Sequence, residues 1–207
     1  MQGVVERKCR TQRDPGAQVS AAKFRANEWY VRPIGFDEAR AFIEQHHYAR
    51  GASNTGVYLF GLFHIWFNTL WGLTWWLPPT RVAAESVDPI RWRQVLALSR
   101  MAVFPGVMKN ACSFMLSRSE QAIRRDGRFV ALVTYADESQ GHTGGVYRAA
   151  NWEYVGRTGP YARWVDPATG RQVATQATKT RTVATMRALG YERTGSYFKH
   201  KFIRRLA

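Results

Sequence analysis

Two apolar runs, Val95–Val103 and Phe129–Thr134, enclose a stretch from about Ala111 to Arg125 in which Ala111, Met115, Ala122 and Ile123 form an apolar stripe. A strand, a turn, a helix and a second strand in that order confine the chain to folds in which helices cover a sheet. The turn is Phe104-Pro105-Gly106-Val107-Met108-Lys109-Asn110. Backbone N–H groups at the start of a helix lack partners within it and point outward, which suits an anion. Gly106, Asn110 and Ser113 are therefore expected to hold a cofactor phosphate. An isolated turn of this kind is more often only a turn, and a lone serine there is commonly a cap.

The remaining pattern agrees with a mixed sheet. Trp29–Ile34 reads as a strand broken by Gly35, and Phe36–His47 as a helix with Asp37 and Glu38 in its first turn. Ala39, Phe42, Ile43 and His46 share one face of that helix. Val57–Ile65 and Leu70–Leu77 read as paired strands, followed by a charged link from Thr80 to Arg93. His64, Asn68, several glycines and Pro78-Pro79 argue against a membrane span there, and Trp71, Trp75 and Trp76 read as core. Gly145–Asn151 reads as a short helix and Glu153–Arg157 as a strand. Trp164–Val173 reads as a hairpin around Pro167-Ala168-Thr169-Gly170, and Ala177–Leu189 as a basic helix stopped by Gly190. Tyr197–Leu206 reads as one last strand. The expected architecture is α/β: a mixed central sheet flanked by helices, with a C-terminal hairpin and helix insertion. A basic arm over residues 1–27 precedes a single domain over 28–207.

Charge narrows the partner. The 207 residues carry a formal net charge of +15, which points to a polyanion, nucleic acid first and an acidic membrane surface second. From Arg148 onward there are twelve basic residues against three acidic ones. Lys199, Lys201, Arg204 and Arg205 in the last strand are the expected phosphate contacts. Cys9 and Cys112 have neither metal-ligand spacing nor a disulfide framework. With polar, charged first residues and no visible signal peptide, a reducing cytoplasmic location is expected.

Chemistry concentrates in two clusters. The strand Phe129–Val133 runs into Thr134-Tyr135-Ala136-Asp137 and then Gly141-His142-Thr143-Gly144-Gly145 and Tyr147. Ligands of open α/β sheets bind past such strand ends. Asp137 there suits a catalytic acid or ligand, although turn and cap aspartates are common. The first helix ends in His46-His47-Tyr48, where His46 falls on the apolar face and His47 off it. Taken by itself, His47 reads first as a partly buried ring bonded to backbone, or as a charged ring favoured at a helix C-terminus. Arg100 lies mid-strand and is costly to bury unpaired, so it forms either a salt bridge or an anion site.

Three segments carry a resemblance. They are His47-Tyr48-Ala49-Arg50-Gly51 through Gly56-Val57-Tyr58-Leu59-Phe60-Gly61, Leu98-Ser99-Arg100-Met101-Ala102-Val103, and Tyr135-Ala136-Asp137 through Gly141-His142-Thr143-Gly144 to Tyr147-Arg148-Ala149-Ala150-Asn151-Trp152. The element order resembles the GNAT acyltransferase fold, and these segments resemble the Mom family of phage DNA modification proteins. That resemblance implies conversion of adenine in double-stranded DNA to carbamoylmethyl-adenine at the exocyclic amine, protecting phage DNA from restriction. It also implies iron, an acetyl-CoA or related small-molecule donor, and functional roles for His47, Tyr48, Arg100, Ser113, Asp137 and Tyr147. His47, Tyr48 and Asp137 are the implied iron ligands, with His142 or Tyr147 able to complete the set. The Arg/Gln-x-x-Gly-x-Gly/Ala loop of ordinary GNAT enzymes is replaced here by Phe104-Pro105-Gly106.

A target adenine must leave the base stack, and Trp152 is the expected stacking platform. No membrane partner is expected, and a homodimer is compatible with this class. Two other readings stand beside this one: a conventional GNAT acetyltransferase acting on an amine, and a non-catalytic DNA-binding protein.

Overall fold

The first strand, β1 (Trp29–Pro33), and the helix α1 (Phe36–His46) are separated at Gly35, and α1 buries Ala39, Phe42 and Ile43. The structure is a computed structural model that describes residues 24–49, 51, 53–107, 110–173 and 182–206. Residues 1–23 of the expected arm and 177–181 of the expected basic helix lie outside the described residues, as do 174–176. Phe24, within the expected arm, packs on Trp29 and Phe114.

The hairpin β2 (Tyr58–His64) and β3 (Phe67–Leu77) follows, then β4 (Val95–Val103), α3 (Ala111–Asp126), β5 (Ala131–Asp137), α4 (Gly145–Ala149) and β6 (Glu153–Arg157). The link at Thr80–Arg93 contains a helix, α2 (Arg81–Glu85), whose first turn is capped by the Thr80 hydroxyl accepting the Ala83 N–H. Helix α3 buries Ala111, Met115, Leu116 and Ile123, and ends at Gly127 in the left-handed region.

The C-terminal part differs most from expectation. It contains β7 (Tyr161–Val165), β8 (Gln172–Val173), the short helix α5 (Val183–Ala188), β9 (Glu192–Tyr197) and β10 (Lys199–Arg205). The expected last strand corresponds to β10, and β9, which shares only Tyr197 with it, is an additional strand that was not expected. β10 enters the main sheet between β5 and β6, while β9 pairs with β7 in a separate three-stranded sheet. Alternating polarity alone does not reveal which sheet a strand joins.

The main sheet runs β1-β2-β3-β4-β5-β10-β6, and among its pairs only β4–β5 is parallel. Helices α3 and α4 cover one face, packing on Leu98, Leu132, Ala136 and Phe202. On the other face, α1 packs over β3, and α2 over Val133 and Ile203. Trp71, Trp75 and Trp76 are buried. No helix among the described residues is long and apolar enough to cross a membrane.

β4 and β5 are paired only from Val95–Ala131 to Leu98–Thr134. The Thr134 hydroxyl donates to the Leu98 carbonyl at 3.1 Å, at the last paired position. Beyond it the two strands part, and their backbone groups face a gap instead of each other.

Candidate active site

The parting of β4 and β5 opens a cavity of about 440 Å³. Leu98 to Met101 line one wall and Thr134 to Ala136 the other. His47 and Tyr48, just past α1, reach it from one side, while Cys112 of α3 and the segment Gly141–Tyr147 close it from the other. Four expected residues distant in sequence, His47, Tyr48, Arg100 and Tyr147, therefore line one cavity. Gly144 makes the closing loop possible: its φ is +80°, and a Cβ there would overlap the Phe202 ring.

The polar groups have distinct states. His47 is buried, and its Nδ1 accepts the Ala49 N–H at 3.1 Å. A neutral ring bonded this way carries its proton on Nε2 and is a donor there. Burial, with the charge of Arg100 and then His142 adding to it, lowers the His47 pKa to about 4. Tyr48 packs its ring on His47 at 4.2 Å between centroids and meets His142 edge-on at 5.7 Å. Partial burial and the Asp137 charge raise the Tyr48 pKa, against the opposing pull of Arg100. Tyr147 is enclosed, and burial pushes its phenol up to about 12. It stays protonated, with the Thr134 hydroxyl as its hydrogen-bond partner.

Arg100 donates to the carbonyls of Gly51 at 3.2 Å and Ser99 at 2.8 Å. No carboxylate pairs with it among the described residues, and no Asp or Glu lines the cavity. The cavity is thus electropositive and suited to an anionic ligand. The His142 ring nitrogens have no hydrogen-bond partner among the described residues; only its backbone N–H is used, toward the Asp137 carbonyl. Burial also raises the Cys112 thiol, which keeps it protonated.

The state of His47 predicts a pH effect on stability. An unfolded histidine titrates near 6.5, and the native ring near 4. Between those values the unfolded chain binds the proton and the native chain does not, so stability falls as pH drops through that window. The loss from this group reaches about 3 kcal/mol by the lower end. Urea unfolding at pH 7 and pH 4.5 should show a smaller pH difference in His47→Gln than in the parent, by about 2 kcal/mol. Equal differences would mean that His47 is not held in this state.

The expected iron is not supported. Among the described residues no group of three His, Cys, Asp or Glu side chains could hold a metal ion. A ligating histidine coordinates through an unprotonated nitrogen and gives its other N–H to an acceptor. His47 has the reverse arrangement, accepting at Nδ1 and protonated at Nε2. Asp137 is buried at the end of β5 but does not line the cavity. Its Oδ1 accepts the Ser139 N–H at 3.0 Å and the hydroxyl of Tyr161. Tyr161 comes from β7, so Asp137 ties the second sheet to the main one. This partner was not legible because β7 reaches it only through the tertiary fold.

The phosphate turn is present in part. Gly106 and Asn110 have φ of +88° and +81°, and Asn110 precedes α3. The Ser113 hydroxyl donates back to the Asn110 carbonyl at 3.0 Å, and Ser113 does not line the cavity; Cys112 does. Met108 and Lys109 lie outside the described residues.

The expected DNA contacts divide. Trp152 is buried against Trp76 and Tyr147, with its indole N–H given to Glu120 at 2.6 Å, so it fills the core and is not open to a base. Along β10, Lys199, Lys201 and Arg205 share the face that bears α2, and Arg204 lies on the other. Arg204 pairs with Glu120 and Arg205 bonds the Val87 carbonyl. The four residues therefore do not form one continuous row.

Solved structures show the same fold at low identity. The ribosomal-protein-S18-alanine N-acetyltransferase of Escherichia coli matches with a TM-score of 0.52 and 12% identity, over 86% of this chain and 94% of that one. A GNAT-family acetyltransferase from Streptococcus pneumoniae gives 0.52 and 10%, over 87% and 100%. The protein yncA of Salmonella typhimurium, solved with acetyl-CoA, gives 0.51 and 11%, over 87% and 95%. These likenesses show that the fold is GNAT-like. The search of curated proteins found no match. The model of the Mom protein family matches residues 28–205, nearly the whole chain and all three segments singled out above, so the chain belongs to the Mom protein family.

Proposed function

We propose that this chain is a transferase that modifies the exocyclic amine of adenine in double-stranded DNA, leaving a carbamoylmethyl group that shields phage DNA from restriction. The observation that carries this reading is the coincidence of the family match with the cavity: the Mom-like segments supply His47, Tyr48, Arg100 and Tyr147 to one electropositive space.

The adenine amine is a poor nucleophile because its lone pair is delocalised into the ring. Its proton must leave as the new bond to carbon forms, so a base must stand beside it. His47 already uses its acceptor nitrogen on Ala49 and offers Nε2–H, which places it as a donor. His142 is the free imidazole of the cavity and takes the role of proton acceptor. His47 Nε2–H is a donor able to stabilise negative charge that develops on the donor molecule. Arg100 attracts that donor through its unpaired charge.

Arg100 would suit the phosphates of an acyl-coenzyme A, whose thioester would pass its acyl group to the amine as the thiol leaves. Direct acetyl transfer would leave an amide, not a carbamoylmethyl group, so the product separates the two chemistries. Mass spectrometry of nucleosides from DNA of cells expressing the chain should reveal carbamoylmethyl-adenine. An acetyl adduct would instead favour a conventional acyltransferase, and unmodified bases under good expression would overturn both.

A further inference from the structure

A second cavity of about 300 Å³, at the lower end of volumes that hold a small organic ligand, lies on the face of the sheet opposite α3. Thr80, Ser86, Tyr135, Gly156, Arg157, Thr158 and Lys201 are among its walls, and no acidic residue lines it. β10 pairs with β5 so that Lys201 lies directly across from Tyr135. The five-residue α2 leaves this part of the sheet open, whereas α3 and α4 cover the other face.

Three features suit a nucleotide. The Lys201 ammonium donates to the Ser86 hydroxyl at 2.7 Å and the Ser86 carbonyl at 3.2 Å, which leaves one of its three N–H groups free. Arg157 stacks over the Phe198 ring at 4.7 Å and has no carboxylate partner among the described residues. The Tyr135 hydroxyl has no hydrogen-bond partner among the described residues, and Tyr135 lines both cavities. The two spaces therefore meet at that residue, in the gap where β4 and β5 part.

We infer that this second cavity receives the extruded nucleotide of the DNA substrate, with Arg157 and Lys201 on its backbone phosphate and Tyr135 against the base or sugar as it passes toward the first cavity. The inference rests on the DNA-modification reading and adds the side from which the acceptor enters. Donor and acceptor then approach from opposite faces of the sheet and meet at its gap. Trp152, closed within the core, has no part in this path.

The test measures binding of a short single-stranded oligonucleotide, one adenine flanked by thymines, to the full chain by fluorescence anisotropy at several salt concentrations. Arg157→Gln should weaken binding and make the salt slope shallower by about 0.7, the share of one phosphate that the variant no longer neutralises. Tyr135→Leu should weaken binding about tenfold, and Tyr135→Phe should restore most of it, because stacking needs the ring. Arg125→Gln, at the exposed end of α3 on the other face, should leave affinity and slope at the parent values. If Tyr135→Leu does not fold by circular dichroism, Arg157→Gln decides alone. Parent-like affinity and slope in Arg157→Gln would overturn the inference. Nucleoside mass spectrometry on the parent chain reads the underlying proposal separately. Product formation with unchanged Arg157→Gln binding removes only the entry path, and absence of product removes the reaction whatever the binding shows.

Discussion

His142→Gln should lower adenine modification by about 10²–10⁴-fold, the range expected when a positioned proton acceptor is removed. The side chain lines the cavity and its ring nitrogens are uncommitted among the described residues, unlike those of His47. Its loop is anchored independently of the ring, by the His142 N–H on the Asp137 carbonyl and by glycines in the left-handed region at 141 and 144. The variant should therefore remain folded and keep its affinity for DNA. Full turnover in His142→Gln would reassign the proton to another group.

Trp152→Ala should destabilise the chain by about 3–5 kcal/mol, the usual cost of emptying a buried tryptophan site. The indole is only 4% exposed, packs on Trp76 and Tyr147, and gives its N–H to Glu120. Burial raises the Glu120 pKa, while the Trp152 hydrogen bond and the Arg204 charge oppose that rise. Removing the indole thus leaves both a cavity and a buried carboxyl with one fewer partner. Trp152→Phe should lose less, because the ring packing survives and only the hydrogen bond goes. Chemical denaturation gives both values. A well-folded Trp152→Ala with weakened DNA binding would return this residue to the role of a base platform.

The order of elements was legible because it depends on local patterns. The apolar runs at β2 to β5, the acidic first turn of α1 and the stripe on α3 are written within a few turns or strand lengths of sequence. His46 on the apolar face of α1 was likewise readable, and it packs between Phe42 and Phe104. The convergence of His47, Tyr48, Arg100 and Tyr147 was reached through family resemblance, since no spacing rule links residues that far apart.

Several outcomes depended on the tertiary structure alone. Trp152 sits in a site-like segment, yet the turn of α4 directs its ring into the core, where Glu120 of α3 meets it. Lys199, Lys201, Arg204 and Arg205 look like one basic run, but a strand sends alternate side chains to opposite faces and the fold gives Arg204 to Glu120. Asp137 was recognisable as a strand-end acid, while its partner Tyr161 arrives from a strand of another sheet. The protonation pattern of His47 follows from one backbone N–H two residues away and from burial that only packing creates. Local sequence determines which elements form and which faces are apolar, because those depend on neighbours in the chain. Which side chains share a cavity, and which of their atoms remain free, is decided by contacts between distant segments.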